Sequence, residues 1–247
     1  MTEHHRIVPG NRAENRAAME AEILRLGREH LTSVGASALS LRAVARDLGV
    51  ASSAVYRYVS SRDELLTKLV VEAYNDLADA AARAIAPIAD PGDRLRATAL
   101  AMRAWAVADP PRWALLYGSP VIGYAAPADL TTVPGTRVIA LVLAELAAAG
   151  DARLLRPDLQ RPPAAITTDL QRAAEELQVT TSASVVAAGT LLWSVIIGGI
   201  SLEVFGQYGD ESFSDPEALF AHQIRQVLAS IFVDAADSAT GGEPGAH

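Results

Sequence analysis

The sequence contains no cysteine. Disulfide bonds, thiolate metal sites and cysteine nucleophiles are therefore excluded, and the composition fits a reducing cytoplasm. The N-terminal stretch MTEHHRIVPGNRAENR has no apolar core of the secretory type. We therefore expect no export signal and a cytoplasmic location.

Histidines are also scarce, and none is placed for catalysis or metal binding. They are His4, His5, His30, His222 and His247, and none has a metal-ligand partner at helical spacing. The sequence has no glycine-rich phosphate loop, no serine elbow and no stretch that proposes a nucleophile–base pair. We predict that the protein is not an enzyme and uses no metal or other cofactor.

Positive charge is in the minority, and it is unevenly distributed. The formal net charge is −8. Residues 1–68 hold ten Lys+Arg against eight Asp+Glu, whereas residues 69–247 hold the remaining 11 against 21. A basic N-terminal part on an acidic body is typical of a DNA-binding protein with a separate regulatory body. An excess of two charges is small evidence by itself.

Charge is absent altogether from Gln178–Leu202, QVTTSASVVAAGTLLWSVIIGGISL. A run of this length is long enough to span a bilayer. However, its first third is rich in Thr, Ser and Ala, Gly198 and Gly199 interrupt it, and acidic residues flank it. A helix that is apolar all round can equally be buried in protein. We favour a buried helix that packs against a second subunit over a membrane span.

Alanine-rich segments with helical spacing, separated by Pro and Gly, predict an all-α fold. We expect helices at about 15–34, 41–49, 62–86, 93–108, 112–118 and 216–236. We also expect a helix with Pro134 in its first turn that ends at Gly150, a short helix that ends at Leu177, and a helix over the charge-free segment. One segment, AVYRYV at Ala54–Val59, has the propensities of a strand.

The segment Ser40–Val59, SLRAVARDLGVASSAVYRYV, fits a helix-turn-helix: two short helices and a tight turn containing a glycine. Gly49 falls where the turn needs an unusual dihedral. If Ser52 caps the second helix, a small core forms from Val44, Leu48, Val50, Val55 and Val59. Ser53, Tyr56 and Arg57 then face outward, and their groups hydrogen-bond phosphates and base edges. The strand-like segment is therefore predicted to be helical.

The stretch LSLRAVARDLGVASSAVYRYVSSRDELL resembles the DNA-binding signature of TetR-family transcriptional repressors, over about Arg16–Val71. The resemblance implies a three-helix helix-turn-helix DNA-binding domain, with a recognition helix at Ala51–Tyr58, and a larger α-helical ligand-binding and dimerisation domain. The predicted bounds are 1–14 for a disordered tail, 15–71 for the DNA-binding domain with its motif at 40–59, 72–236 for the second domain and 237–247 for another disordered tail.

The resemblance also implies roles for individual residues of the DNA-binding domain. By position, phosphate contacts come from Arg42, Ser53, Tyr56, Tyr58 and Arg62, while Ser52, Ala54 and Arg57 face the groove. The family pattern usually has an aromatic residue where Val59 stands and a lysine where Arg62 stands. An alternative is that Tyr58 belongs mainly to the core and that Arg42 is a solvated helix start.

The stretches PRWALLYGSPVIGYAAP and WSVIIGGISLEVFGQYG resemble the WHG-type ligand domain of TetR-like regulators, over roughly Asp93–Phe232. The histidine–glycine pair of that domain stands here as Ile197-Gly198, so the histidine is missing and a drier pocket is expected.

Aromatic residues are few, at 5% of the chain. The candidate pocket residues are Trp105, Trp113, Tyr117, Tyr124 and Trp193, with the lone acid Glu145. The alternative is that these rings fill the core and that Glu145 and the similar Glu203 face solvent. Arg96 and Arg103 share a helix face, which we expect to be solvated.

The sequence therefore predicts a ligand-responsive repressor. It is expected to bind a palindromic double-stranded DNA operator as a homodimer, to be released by a small hydrophobic effector, and to have no membrane partner. Two alternatives stay open: a membrane-anchored helical protein, and a ligand-binding helical protein with a vestigial DNA-binding part. If the charge-free helix forms the dimer interface, Gly189→Asp should produce monomers.

Overall fold

The computed structural model describes residues 12–209 and 212–233. In this part of the chain it has ten α-helices and an isolated β-bridge, which confirms the all-α prediction. The helices are α1 (Arg12–Val34), α2 (Leu41–Asp47), α3 (Ser52–Val55), α4 (Arg62–Ile85), α5 (Pro91–Ala108), α6 (Pro110–Tyr117), α7 (Ala128–Asp151), α8 (Ala164–Glu176), α9 (Ala183–Val204) and α10 (Pro216–Ile231). A single 3-10 turn, Ala36–Ala38, lies between α1 and α2.

The helices belong to two compact units. The first contains residues 12–73 of the described chain together with Ser119–Thr131, and the second contains Tyr74–Gly118 and the described residues from Thr132 onward. The long helix α4 contributes to both units. The domain bounds drawn from the sequence, 15–71 and 72–236, stay a prediction. The predicted tails lie outside the described residues, apart from residues 12–14, which are part of α1.

The core of the second unit is built around α9. This helix packs against α5, α6, α8 and α10. Its buried residues include Leu192, Ile196 and Ile200, which are fully inaccessible to solvent. By length and composition α7 and α9 are both apolar enough to cross a membrane. The buried face of α9 accounts for the absence of charge at those positions, because a charge there would lose its hydration.

Small residues let neighbouring helices approach α9 closely. A Cβ atom at Gly189 would lie 3.2 Å from Leu146 Cδ1 and 3.3 Å from Leu143 Cδ1. One at Gly199 would lie 3.0 Å from the ring of Phe220. Gly189 therefore faces the core of its own chain. An aspartate at Gly189 would meet these leucines of its own chain, so Gly189→Asp would perturb the core as well as any contact between subunits, and its effect on dimerisation stays a prediction.

Two predicted helix boundaries were wrong, and the glycine pair noted as interrupting the charge-free segment does not break the helix. Helix α7 begins at Ala128, so Pro134 lies inside the helix rather than in its first turn. Helix α10 ends at Ile231 rather than Ala236, because Phe232 forms an antiparallel bridge with Leu155. Gly198 and Gly199 do not interrupt α9. In these places the packing of the folded chain overrides the weak helix propensity of the local sequence.

Candidate nucleic-acid interface and aromatic cluster

Helices α2 and α3 pack against each other across a tight turn. After α2, Gly49 has a φ of 69°, a left-handed conformation that favours glycine. The N–H of Gly49 donates to Arg46 O at 3.0 Å, and the N–H of Val50 donates to Ala45 O at 3.1 Å. This pair of bonds ends α2 in the Schellman manner. Ala45 is 1% exposed, as a close helix crossing requires.

The small core predicted from the sequence is present. Val44, Val55 and Val59 are at most 1% exposed, and Leu48 and Val50 are half-buried. The residue that caps α3 is Ala51 rather than Ser52, which is the first residue of the helix. The α-helix itself is short and ends at Val55, after which residues 56–58 continue as a turn. The strand-like segment is therefore α-helical only at its first two residues, Ala54 and Val55.

The outward side of this motif carries the polar groups that the sequence assigned to it. Ser53, Tyr56, Arg57 and Arg42 are exposed, with Tyr56 at 45%. Ser52 and Ala54 are half-buried. Among the described residues, neither Arg42 nor Arg57 has a carboxylate partner. Their role in DNA binding stays a prediction.

Tyr58 is half-buried, and α1 covers its ring. The guanidinium carbon of Arg16 lies 5.5 Å from the ring centroid, within the range of a cation–π contact. Arg16 also pairs with Glu20 at 3.0 Å. The ring of Tyr58 therefore packs against α1 within the first unit.

Arg62 is half-buried and bonded to the main chain, whereas Arg42 and Arg57 are exposed. Its guanidinium donates hydrogen bonds to the main-chain carbonyls of Ala36, Ser37 and Leu39, at 3.0–3.1 Å.

A further polar contact joins α1 to α2. His30 Nε2 and Asp47 Oδ2 are 2.6 Å apart, and this hydrogen bond lowers the pKa of Asp47.

In the second unit, three aromatic rings from three helices surround Tyr117. Its ring centroid lies 4.4 Å from that of Trp113, 6.3 Å from that of Tyr74 and 6.4 Å from that of Trp193. Trp113 is fully buried, and its Nε1 donates to Ser201 Oγ at 3.2 Å. Burial, with the nearby Tyr74, raises the pKa of the Tyr117 phenol well above its usual value.

The other candidate pocket residues do not join this cluster directly. Trp105 Nε1 donates to Asp76 Oδ2 at 3.1 Å, and the guanidinium of Arg112 lies over the Trp105 ring at 4.9 Å. Tyr124 belongs to the first unit, where its hydroxyl is 3.0 Å from Thr67 Oγ1. The sequence thus identified three of the four clustered rings, and Tyr74 was missed because it adjoins the apolar stripe of α4 rather than lying on it.

Three charged side chains for which a solvent-facing position was considered are largely buried, namely those of Glu145, Arg103 and Glu203. Glu145 pairs with Arg94 at 3.0 Å with its side chain 12% exposed, and burial raises its pKa while Arg94 opposes the shift. Arg103 is 8% exposed and donates to both oxygens of Glu203, at 2.7 and 2.8 Å. The expectation of a solvated Arg103 was wrong, since its acid partners lie on helices far away in sequence.

Two surface grooves are found in the second unit. One, of about 530 Å³, lies between the first turn of α5 and the end of α10 and includes Asp93, Arg225 and Phe232. The other, of about 510 Å³, includes Arg156, Ser184 and Leu191. None of the candidate pocket residues lines either groove.

Both parts of the chain match models of known protein families. Residues 23–69 match the family model "Bacterial regulatory proteins, tetR family", and residues 95–227 match "Tetracyclin repressor-like, C-terminal domain". The HTH-type transcriptional regulator Rv1816 of Mycobacterium tuberculosis (strain ATCC 25618 / H37Rv) is 48% identical over 225 residues, covering 89% of this chain and 95% of that protein.

Solved structures agree with this assignment. The regulatory protein SCO4313 superimposes with a TM-score of 0.73 at 34% identity, covering 89% of this chain and 99% of that one. A protein of unknown function from Rhodococcus sp. RHA1 shares the fold, with a TM-score of 0.68 at 19% identity, covering 93% of this chain and 100% of the other. The chain therefore belongs to the tetR family of bacterial regulatory proteins and is a transcriptional regulator with a helix-turn-helix DNA-binding region.

Proposed function

We propose that this regulator is a cytoplasmic, homodimeric repressor that binds a palindromic DNA operator and is released by a small hydrophobic effector. The observation that carries the DNA-binding part is the set of exposed donors on α2, on α3 and in the turn that follows α3. Arg42 and Arg57 stay free of carboxylates in the described structure, whereas Arg25, Arg103 and Arg112 are paired. Unpaired guanidinium groups on an exposed helix-turn-helix can meet phosphates and guanine edges.

The experiment is a selection of duplexes from a random-sequence pool, followed by fluorescence anisotropy on the enriched operator. Tyr56→Ala and Arg57→Ala should lower the affinity about ten- to a hundredfold, as expected for lost base or phosphate contacts. Gln171→Ala, an exposed position on α8 in the second unit, is the matched control. Unchanged affinity in both variants would contradict the assigned face.

The dimer proposal is supported by an apolar stripe on α9. Ala187, Leu191, Val195 and Leu202 recur at helical spacing, and Leu191 and Leu202 are 52% and 36% exposed. Exposed leucines on a helix otherwise built into the core favour an isologous contact with a second copy. Helix α10 packs on α9, and Ser230 and Ile231 at its end line the same groove as Ala187 and Leu191.

Leu191→Glu should therefore give folded monomers, because it introduces a charge on the exposed stripe without entering the core. Sedimentation analysis would measure the mass, and circular dichroism would verify the helical fold. Gln171→Glu, which adds the same charge on α8, should remain dimeric. A Leu191→Glu dimer of undiminished stability would contradict this interface.

The effector proposal is supported by the aromatic cluster around Tyr117. Sites for small apolar molecules are lined mainly by hydrophobic and aromatic side chains. All three tryptophans lie in the second unit, so intrinsic fluorescence reports on this region. A thermal-shift screen of hydrophobic compounds, read together with tryptophan fluorescence, tests the proposal. A compound that binds but leaves operator affinity unchanged would not be the effector.

A further inference from the structure

Arg62, the first residue of α4, binds the backbone of the segment that precedes α2. Its Nε donates to Leu39 O at 3.1 Å, and its Nη2 donates to Ala36 O and Ser37 O at 3.0 and 3.1 Å. Its Nη1 lies 3.4 Å from Asp63 Oδ1, a long contact. A guanidinium has five N–H donors in a planar fork, so three carbonyls already occupy most of that fork.

The segment bound by Arg62, residues 35–40, has few strong hydrogen bonds of its own. It leaves α1 at Gly35, whose φ is 76°. Its internal bonds, from Ala38 N to Gly35 O and from Leu39 N to Ala36 O, are long at 3.3 and 3.4 Å. Ser40 precedes α2 without a side-chain capping bond. The buried side chain of Leu39 anchors this segment, and the three bonds from Arg62 supply most of the strong hydrogen bonds to its carbonyl groups.

The position of this segment determines where the first turn of α2 lies, and Arg42 is in that turn. We infer that Arg62 is a positioning residue of the DNA-binding site: it fixes the segment before α2 and leaves the phosphate contact to Arg42. The inference rests on the proposed DNA-binding function.

Lysine cannot replace arginine in this role. Its ammonium carries three donors on one nitrogen and has no planar fork, so it cannot bond three carbonyls spread over four residues in the same way. Lysine does, however, keep the positive charge that a phosphate needs. The variants Arg62→Lys and Arg62→Met therefore separate positioning from phosphate contact.

The test measures operator affinity at several salt concentrations on the duplex selected above. Both Arg62 variants should bind about tenfold more weakly, because each loses the charged hydrogen bonds, with the slope of log K against log salt unchanged. The control Arg42→Met removes an exposed, unpaired arginine. It should lower the magnitude of the slope by about 0.9 per phosphate contact, hence about 1.8 for a homodimer.

Hydrogen exchange on the free protein gives a readout that is independent of DNA. Exchange in peptides covering residues 35–47 should be faster in Arg62→Lys and Arg62→Met and unchanged in Arg42→Met. Wild-type affinity and exchange in Arg62→Lys would overturn the inference, as would a slope change in Arg62→Met equal to that of Arg42→Met. If Arg62→Met does not fold, Arg62→Lys decides. If no duplex is enriched, the DNA-binding proposal fails, while exchange still tests whether Arg62 holds the segment.

Discussion

Replacing Arg103 by methionine should strongly destabilise the second unit. Arg103 lies on α5 with its side chain 10% exposed and joins α9 through Glu203 and α10 through Glu217. The Glu203 side chain is 15% exposed, whereas that of Glu217 is 72% exposed. Methionine keeps the apolar stem but removes the guanidinium, so the Glu203 carboxylate stays largely buried without its partner.

The size of the effect follows from these exposures. Removing one member of a buried ion pair costs about 3–5 kcal/mol, because the other charge stays unpaired. The pair with Glu217 is exposed on the acid side and adds only about 0–1 kcal/mol. Because Glu203 keeps some solvent access, we expect about 3–4 kcal/mol, a large share of a typical domain stability of about 5–15 kcal/mol. For a protein of this size that lowers Tm by about 6–16 °C.

Urea unfolding followed by circular dichroism, at one fixed protein concentration, measures the free energy of unfolding. Glu217→Gln is the control and should stay within about 1 kcal/mol of wild type. The double variant Arg103→Met with Glu203→Met should recover much of the loss, since it removes the unpaired charge. The reasoning is refuted if Arg103→Met costs no more than Glu217→Gln, or if the double variant is no more stable than Arg103→Met.

Two further predictions concern the ends and interiors of helices. Glu64 accepts hydrogen bonds from the N–H and the Oγ of Ser60, and these bonds lower the pKa of the Glu64 carboxyl group. The stabilisation that they give is therefore complete above pH 4.5, the ordinary pKa of glutamate. It is lost as the pH falls through the lower pKa of the folded protein. Urea unfolding of Glu64→Gln should therefore differ from wild type by about 0.5–1 kcal/mol at pH 7 and by much less at pH 3; equal differences would contradict this. Gly199→Ala should cost about 1–3 kcal/mol because its Cβ meets the Phe220 ring, whereas Gly150→Ala, whose Cβ makes ordinary contact, should stabilise by about 0.4–1 kcal/mol. Similar shifts of the urea midpoint in the two glycine variants would argue against the packing described for α9.

The helix-turn-helix was predictable because its determinants are local. Gly49, the small Ala45 and the inward valines lie within a single stretch of twenty residues, so spacing alone places them on one face. The extent of α3 was not predictable in the same way. Val55 and Tyr56 are poor helix formers, and the helix gives way to a turn once Val55 has reached the core.

Contacts between distant segments account for most of what the sequence did not reveal. The end of α10 depends on the bridge from Phe232 to Leu155, and nothing near Phe232 in sequence signals that partner. Likewise, Arg103 looks like a solvated arginine until α9 and α10 bring Glu203 and Glu217 to it. In each case the deciding interaction is tertiary, and a periodic pattern carries no information about it.

Contacts between distant segments also decide which aromatic residues belong to the candidate effector site. Trp113 and Tyr117 are four apart on α6, so a helix predicts that they share a face. Tyr124 stands close behind them in sequence and looked like a third member, yet the chain passes into the first unit at Ser119, and Tyr124 bonds Thr67 there. The ring that completes the cluster instead is Tyr74, from α4. Since α4 also supplies residues to the first unit, an effector that contacts Tyr74 would act on the helix shared by both units, whereas contacts to Trp193 alone would not.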